Sequence, residues 1–304
     1  MIGLEIIGLI MISPPRPRMP PLNSLRAFES VARLNSIAAA ASELCVTPAA
    51  VAQQVKSLEQ WAGEKLFERH PQGVELTQLG ASVLMDFSAA FDSLGVAVQK
   101  LRATASPHAV RIAALPSIAQ FFLSPRLPLI RKLMPEISLS VSALETKPNL
   151  VREPFDLAIF YAQRDSRGSA KVVGRDTIFP VCSPATAARL QSVEDLAGET
   201  LLHDTTWRDD WQNWLAAAGQ AISVAGPQFS LYSLALEECK NGAGVMIGHQ
   251  ALVDHALADG SLVEPFGMRV EQSMDLKIFA MESPVLGSTF HQVAEMLIEK
   301  PDLN

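Results

Sequence analysis

The chain has 304 residues, 48% of them apolar and 19% charged, with a formal net charge of -7. At roughly 150 residues per domain this length accommodates two domains, each able to bury a core, and the composition excludes a disordered chain. The acidic balance excludes a global positive field that would hold the chain on nucleic acid or an anionic membrane, so any DNA contact must be local.

Cys45, Cys182 and Cys239 are odd in number and widely spaced. That spacing argues against both a disulfide framework and a CxxC-type metal site, and fits a reducing cytoplasm. Met1 to Ile12 are nearly all apolar, but the run is too short to span a bilayer and contains Glu5. No basic residue precedes it and no small-residue cleavage site follows, so it does not read as a signal peptide. Pro14-Pro15-Arg16-Pro17-Arg18 forbids a helix. Residues 1–18 are expected to be a flexible tail upstream of the folded domain, with Met19 as the start; a short apolar arm is the alternative.

From Leu22 to Leu101 the sequence reads as helix with one hairpin. Asn23 or Ser24 can cap a first helix with Leu25, Phe28, Val31 and Ala32 inward. Ser36 caps a second helix, Ile37 to Cys45, and Thr47-Pro48 opens a third with a capping hydroxyl and a proline at the first helical position. Two short helices joined by a three-to-four-residue turn describe a helix-turn-helix. On the third helix Val51, Val55, Leu58 and Ala62 share the core arc, which turns Ala49, Gln53, Lys56 and Gln60 the other way. Gln can pair bidentately with adenine, Lys can reach a guanine edge or a phosphate, and Ala can touch a thymine methyl. The same residues also suit a solvated helix face. Charge does not decide between the two, because Arg26, Arg33, Lys56, Lys65 and Arg69 are offset by Glu29, Glu43, Glu59, Glu64 and Glu68.

The order of residues decides it. Leu25-Arg26-Ala27-Phe28, Ala40-Ala41, Leu44, Val46-Thr47-Pro48-Ala49-Ala50-Val51, Gln53, Val55-Lys56, Leu58-Glu59, Gly63, Leu66-Phe67-Glu68-Arg69, Val74, Leu76-Thr77 and Gly80 resemble the DNA-binding half of LysR-type transcriptional regulators. The resemblance implies a winged helix-turn-helix over residues 19–76, with Gln53 and Lys56 in the major groove, Thr47 and Arg69 on the DNA backbone, and Leu66 to Leu76 as the wing. Ser36, Pro48, Ala49 and Ala52 complete the expected DNA-contacting set. Ala52 stands where serine is frequent, and Gln72, Gly73 and Glu75 leave the wing poor in basic residues.

Thr77 reads as a helix cap, and Leu84, Phe87, Phe91, Leu94, Val98 and Leu101 then follow at alternating spacings of three and four, as heptad a and d positions do. By the resemblance this linker helix, residues 77–106, pairs two chains; packing on its own domain is the other reading. The small, polar stretch Ala103 to His108 marks the domain boundary.

Beyond it, short β-rich runs at Val110-Leu115, Ile137-Ala143, Leu157-Tyr161, Thr177-Cys182, Val245-Gly248 and Leu276-Met281 alternate with helical stretches, which reads as α/β with a largely parallel sheet. Phe155-Asp156-Leu157-Ala158-Ile159, Phe179-Pro180-Val181-Cys182-Ser183-Pro184, Leu202 to Trp211, Gly242-Ala243-Gly244-Val245 and Pro265-Phe266-Gly267 resemble the effector-binding domain of the same regulators. Within the family they resemble most the branch of the glycine-cleavage activator and the β-lactamase-inducing regulator. The implied architecture is α+β multidomain: the all-α winged helix-turn-helix with its linker helix, then a two-subdomain α/β domain similar to type 2 periplasmic binding proteins. Its subdomains would be residues 107–177 with 267–304, and 178–266, with strand crossings near Asp176-Phe179 and Pro265-Met268.

Ligands of such folds sit where strand ends meet helix starts. By position Ser117, Thr146, Tyr161, Thr205, Ser230 and Tyr232 suggest a polar cleft, and Ser117 with nearby backbone N–H groups can hold an anion. Each is also an ordinary cap or turn residue. Arg164, Arg167 and Arg208 define no clamp. No Gly-x-Ser-x-Gly elbow, HExxH or Gly-x-x-x-x-Gly-Lys pattern points to an enzyme. His203-Asp204 reads as a strand end and Gly242-Ala243-Gly244 as a turn. The expectation is a non-enzymatic, cytoplasmic regulator without metal or cofactor, whose partners are double-stranded DNA, a small-molecule effector and other copies of itself as homodimer or homotetramer.

Overall fold

The computed structural model describes residues 19–70, 73–164, 170–280 and 289–298. The tail 1–18, Gln72, Arg167 and Met281 lie outside them, as does the side chain of Arg69. The chain forms two units that divide between Leu94 and Gly95.

In the first unit α1 (Leu22–Leu34), α2 (Ile37–Leu44) and α3 (Pro48–Ala62) precede a hairpin of β1 (Phe67–His70) and β2 (Gly73–Leu76), and α4 (Gln78–Ala105) begins after it. Pro21, with its fixed φ of -54°, is the N-cap of α1, so the helix starts ahead of Asn23 and Ser24. Neither caps it: the Ser24 hydroxyl is buried and donates to Gln54 Oε1 on α3 at 2.8 Å. Asn35 and Cys45 take the left-handed conformation that ends α1 and α2. Phe28, Val31, Val51, Val55 and Leu58 form the core with Leu66 and Phe67. Ala62 stays exposed instead, because α3 ends on it and Gly63, at φ 76°, turns the chain.

Glu59 fixes the entry to the hairpin by accepting the N–H groups of Leu66 and Phe67 at 3.0 and 3.3 Å. Thr77 joins the hairpin to α4: its hydroxyl donates to the Lys65 carbonyl and accepts the Gly80 N–H. A Cβ at Gly80 would run into the Leu66 carbonyl oxygen, so only glycine allows this close approach.

The second unit carries β3 (Ala109–Ala114), α5 (Leu127–Leu133), β4 (Ser138–Ala143), β5 (Leu157–Gln163), β6 (Ala170–Val181), α6 (Pro184–Ala187), β7 (Leu201–Asp204), α7 (Asp210–Ala217), β8 (Gln228–Phe229), α8 (Tyr232–Lys240), β9 (Val245–His249), α9 (Gln250–Ala258), β10 (Val270–Ala280) and α10 (Thr289–Ile298). The strands order as β4-β3-β5-β10-β6-β9-β7-β8. The sheet is mixed, which corrects the expectation of a largely parallel one. Pairs β3–β4, β3–β5, β7–β8 and β7–β9 are parallel, but β10 is antiparallel to β5 and β6, and β6 to β9. The antiparallel members are the two long strands that serve both halves: β6 pairs β10 up to Ile178 and β9 from Ile178 to Val181. The second of these crossing strands begins at Val270, beyond Pro265-Met268.

The core of this unit includes Ile112, Ile159, Phe179, Val245 and Trp214. The indole N–H groups of Trp211 and Trp214 donate to the Leu202 and Met268 carbonyls, which locks α7 to β7 and to the approach to β10. Among the described residues α4 is the one helix long and apolar enough to cross a membrane by length and composition. Its Leu84, Phe87 and Phe91 are spent on packing against the core of the first unit.

Candidate DNA-binding face and effector cleft

The third helix is built to start abruptly. Thr47 Oγ1 accepts the Ala50 N–H at 3.2 Å and Pro48 occupies the first turn, while Ser36 does the same for α2 through the Ala39 N–H at 3.1 Å. Burial of Val51, Val55 and Leu58 then leaves Ala49, Gln53, Lys56 and Gln60 exposed on one face, with Ala52 half-buried beside them. Such a face presents an amide, an ammonium and a methyl, the groups that read base edges. Arg33 is engaged elsewhere: its guanidinium contacts both Glu43 oxygens at 2.6 Å and Glu29 at 3.3 Å, and these carboxylates raise its pKa. In the hairpin Arg69 stands opposite Val74, and Glu68 stands opposite Glu75 with His70 Nε2 3.9 and 3.6 Å from their carboxylates. Facing carboxylates repel DNA phosphate as well as each other.

The heptad stripe of α4 divides. Leu84, Phe87 and Phe91 are half-buried on the core of their own unit, and Ser88 beside them donates to Glu29. Leu94, Val98 and Leu101 are exposed.

A cleft in the second unit is lined by Leu115, Pro116, Ser117, Glu145, Thr206, Trp207, Ser230, Leu231 and Tyr232. Ser117, Ser230 and Tyr232 of the expected set therefore lie on it. Thr146 and Thr205 are displaced by one residue from the lining Glu145 and Thr206, since Thr205 is tied into the sheet by donating to the Phe229 carbonyl. Tyr161 sits behind, its ring 5.9 Å from Trp207, with a buried hydroxyl that has no partner among the described residues. Ser117 leads into the π-helical turn Ile118–Leu123 without a side-chain cap. Arg164 turns away to Asp275 and Glu271, and Arg208 donates to the Thr205 carbonyl. Glu145 is the one charged residue of the lining.

Directly beneath the aromatic wall lies a group the sequence reading did not single out. His249, 1% exposed, places Nδ1 2.9 and 3.0 Å from the two oxygens of Asp176 and Nε2 2.9 Å from Asp210 Oδ2. Burial alone would lower its pKa, but the hydrogen bonds and charges of the two aspartates outweigh that and hold it up at about 9. Three residues separated by 34 and 39 positions carry no local spacing signal. A histidine ending an apolar strand, Val245–His249, was the one available cue.

Residues 22–81 match the bacterial regulatory helix-turn-helix protein, lysR family, and residues 104–299 match the LysR substrate binding domain. The glycine cleavage system transcriptional activator of Escherichia coli K12 is 37% identical over 255 residues, 82% of this chain and 83% of that protein. The transcriptional activator AmpR of Citrobacter koseri is 33% identical over 258 residues, 83% of this chain and 88% of that protein. Among solved structures, the effector domain of AmpR from Pseudomonas aeruginosa covers 62% of this chain and 93% of its own at TM-score 0.53 and 24% identity. ArgP from Mycobacterium tuberculosis covers 90% and 96% at TM-score 0.54 and 22% identity, which shows the fold. The chain belongs to the LysR family of transcriptional regulators. It joins a DNA-binding helix-turn-helix to a domain that binds a small-molecule effector.

Proposed function

We propose that the protein acts in the cytoplasm as a homo-oligomer on a pseudo-palindromic promoter site, and that a small molecule seated in the cleft between Ser117 and Tyr232 switches it. The domain limits that go with this reading are 19–76 for the winged helix-turn-helix, 77–106 for the linker and 107–304 for the effector domain. Two copies pair through α4, and pairs assemble into tetramers. The paired recognition helices, one turn of DNA apart, read two half-sites. Ser36, Thr47 and Arg69 hold the DNA backbone, and Pro48, Ala49, Ala52, Gln53 and Lys56 present the reading edge.

The observation that carries the reading is the division of labour: an exposed amide, ammonium and methyl face on α3, and a hydroxyl-rich, aromatic-walled cleft in a separate unit. The hydroxyls of Ser117, Thr206 and Ser230 orient a polar ligand over Trp207. Thermal-shift screening of a metabolite panel tests it. The expected result is that at least one compound raises the melting temperature and alters operator binding, with both effects lost in the Ser117→Ala, Ser230→Ala double variant. A hit whose effect survives that variant undiminished places the effector elsewhere.

A further inference from the structure

His249 is the last residue of β9 and the N-cap of α9, and it meets two residues of the cleft lining, Trp207 and Tyr232. Its backbone N–H donates to the Tyr232 hydroxyl at 3.3 Å, and its ring lies 4.2 Å from Trp207, 5.6 Å from Tyr161 and 6.2 Å from Tyr232. Asp176 comes from crossing strand β6, at the point where that strand leaves β10 for β9. Asp210 is the first residue of α7, three residues after Trp207.

We infer that His249, clamped between Asp176 and Asp210, is the positioning residue of the effector cleft: it sets the Trp207 ring and the Tyr232 hydroxyl and fastens the wall they form to the crossing strand. The inference rests on the reading that this cleft takes the effector.

The chemistry follows from the partners. A neutral imidazole has one N–H and can donate to one carboxylate only, whereas the imidazolium donates to both. The groups that face the ring are Asp176 from β6, Asp210 from α7 and, through space, Asp204 from β7. The phenols of Tyr161 and Tyr232 face it from β5 and α8, and burial pushes their pKa well up, so both stay neutral where the histidine titrates. Asp254 of α9 adds negative charge near Tyr161. Every ionised neighbour is thus an aspartate, and loss of the His249 proton leaves Asp176 and Asp210 buried with one N–H between them. Such a pair separates or admits water. Trp207, whose ring lies against the imidazole at 4.2 Å and is tilted 42° to it, moves with it.

Acrylamide quenching of tryptophan fluorescence in the full-length protein tests this without any effector, so its outcome is independent of whether the cleft is the effector site. The contribution of Trp207 is the difference from a Trp207→Phe control, which subtracts Trp61, Trp211 and Trp214. Between pH 6 and 9.8 the quenching constant of Trp207 should rise at least twofold, with a midpoint near 9. Asp210→Asn, which keeps the shape and removes the charge, should lower that midpoint by about one unit or more. His249→Gln should abolish the pH dependence. A flat Trp207 profile over that range, with circular dichroism of wild type and of the Trp207→Phe control unchanged, overturns the inference. An Asp210→Asn midpoint equal to wild type overturns it equally.

Discussion

The ring of Phe87 on α4 meets the ring of Phe28 on α1 edge-on, with centroids 5.7 Å apart and planes at 74°. Pairs in this geometry stabilise by about 0.5–1.5 kcal/mol beyond the area they bury. The first half of the heptad stripe therefore belongs to the helix-turn-helix core, and the exposed half, Leu94, Val98 and Leu101, is what remains for a second copy.

Leu101→Glu should weaken self-association while leaving the melting of the N-terminal unit unchanged, because Leu101 is 68% exposed. Phe91→Glu should weaken association and also destabilise that unit, since Phe91 packs on its core. Sedimentation velocity with thermal melts separates the two. Equal association in wild type and Leu101→Glu would remove α4's exposed half from the interface.

Gln53→Ala and Lys56→Ala should each cost about 1–3 kcal/mol of operator affinity. Melting should be unaffected, as both side chains are exposed on the face opposite Val51 and Val55. Gel-shift titration measures the first effect and calorimetry the second. Wild-type binding by both variants would mean that α3 presents a different face to DNA.

Glu75→Lys in the hairpin should strengthen DNA binding and steepen its dependence on salt. It removes one of two facing carboxylates at Glu68 and Glu75 and adds a cation that can release a counterion. The slope of log K against log salt should grow by about one. An unchanged slope would show that the wing tip stays off the phosphates.

Much of the first unit was legible because its signals are local: Ser36 and Thr47 cap as their positions suggest, and Val51, Val55 and Leu58 share one helical arc. Ser24 was misread for a reason of the same kind. A serine near a helix start suits a cap by sequence, but Pro21 already sets the backbone, and the hydroxyl found Gln54, thirty residues away. In the second unit the alternation of strands and helices was readable, but strand direction was not, because nothing in Val270–Ala280 encodes that it runs antiparallel to both neighbours. The two-residue strand Gln228–Phe229 is too short for a period. Cleft residues were missed by one position at Thr146 and Thr205, where the chain leaves the sheet and alternation no longer fixes which side chain points inward. The His249 clamp joins three separate elements and leaves no local trace.

His249 also makes stability pH-dependent, and the sign follows from its raised pKa. Its contribution is fully present below the unfolded value near 6.5 and is lost as pH rises through about 9. On the order of 3 kcal/mol is at stake, enough to move the melting temperature of the second unit by several degrees. Calorimetry from pH 6 to 9.8 should show that decline in wild type and a flatter profile in His249→Gln. Parallel profiles would mean that folding leaves the pKa of this imidazole unshifted.

Footprinting on the promoter beside the gene tests whether α3 reads a specific DNA sequence. The expected result is protection of two half-sites about one helical turn apart. That protection should persist against excess random DNA and disappear in the Gln53→Ala, Lys56→Ala double variant. Protection no stronger than on random DNA at the same salt, or equal protection by the double variant, would mean that α3 does not read sequence through Gln53 and Lys56.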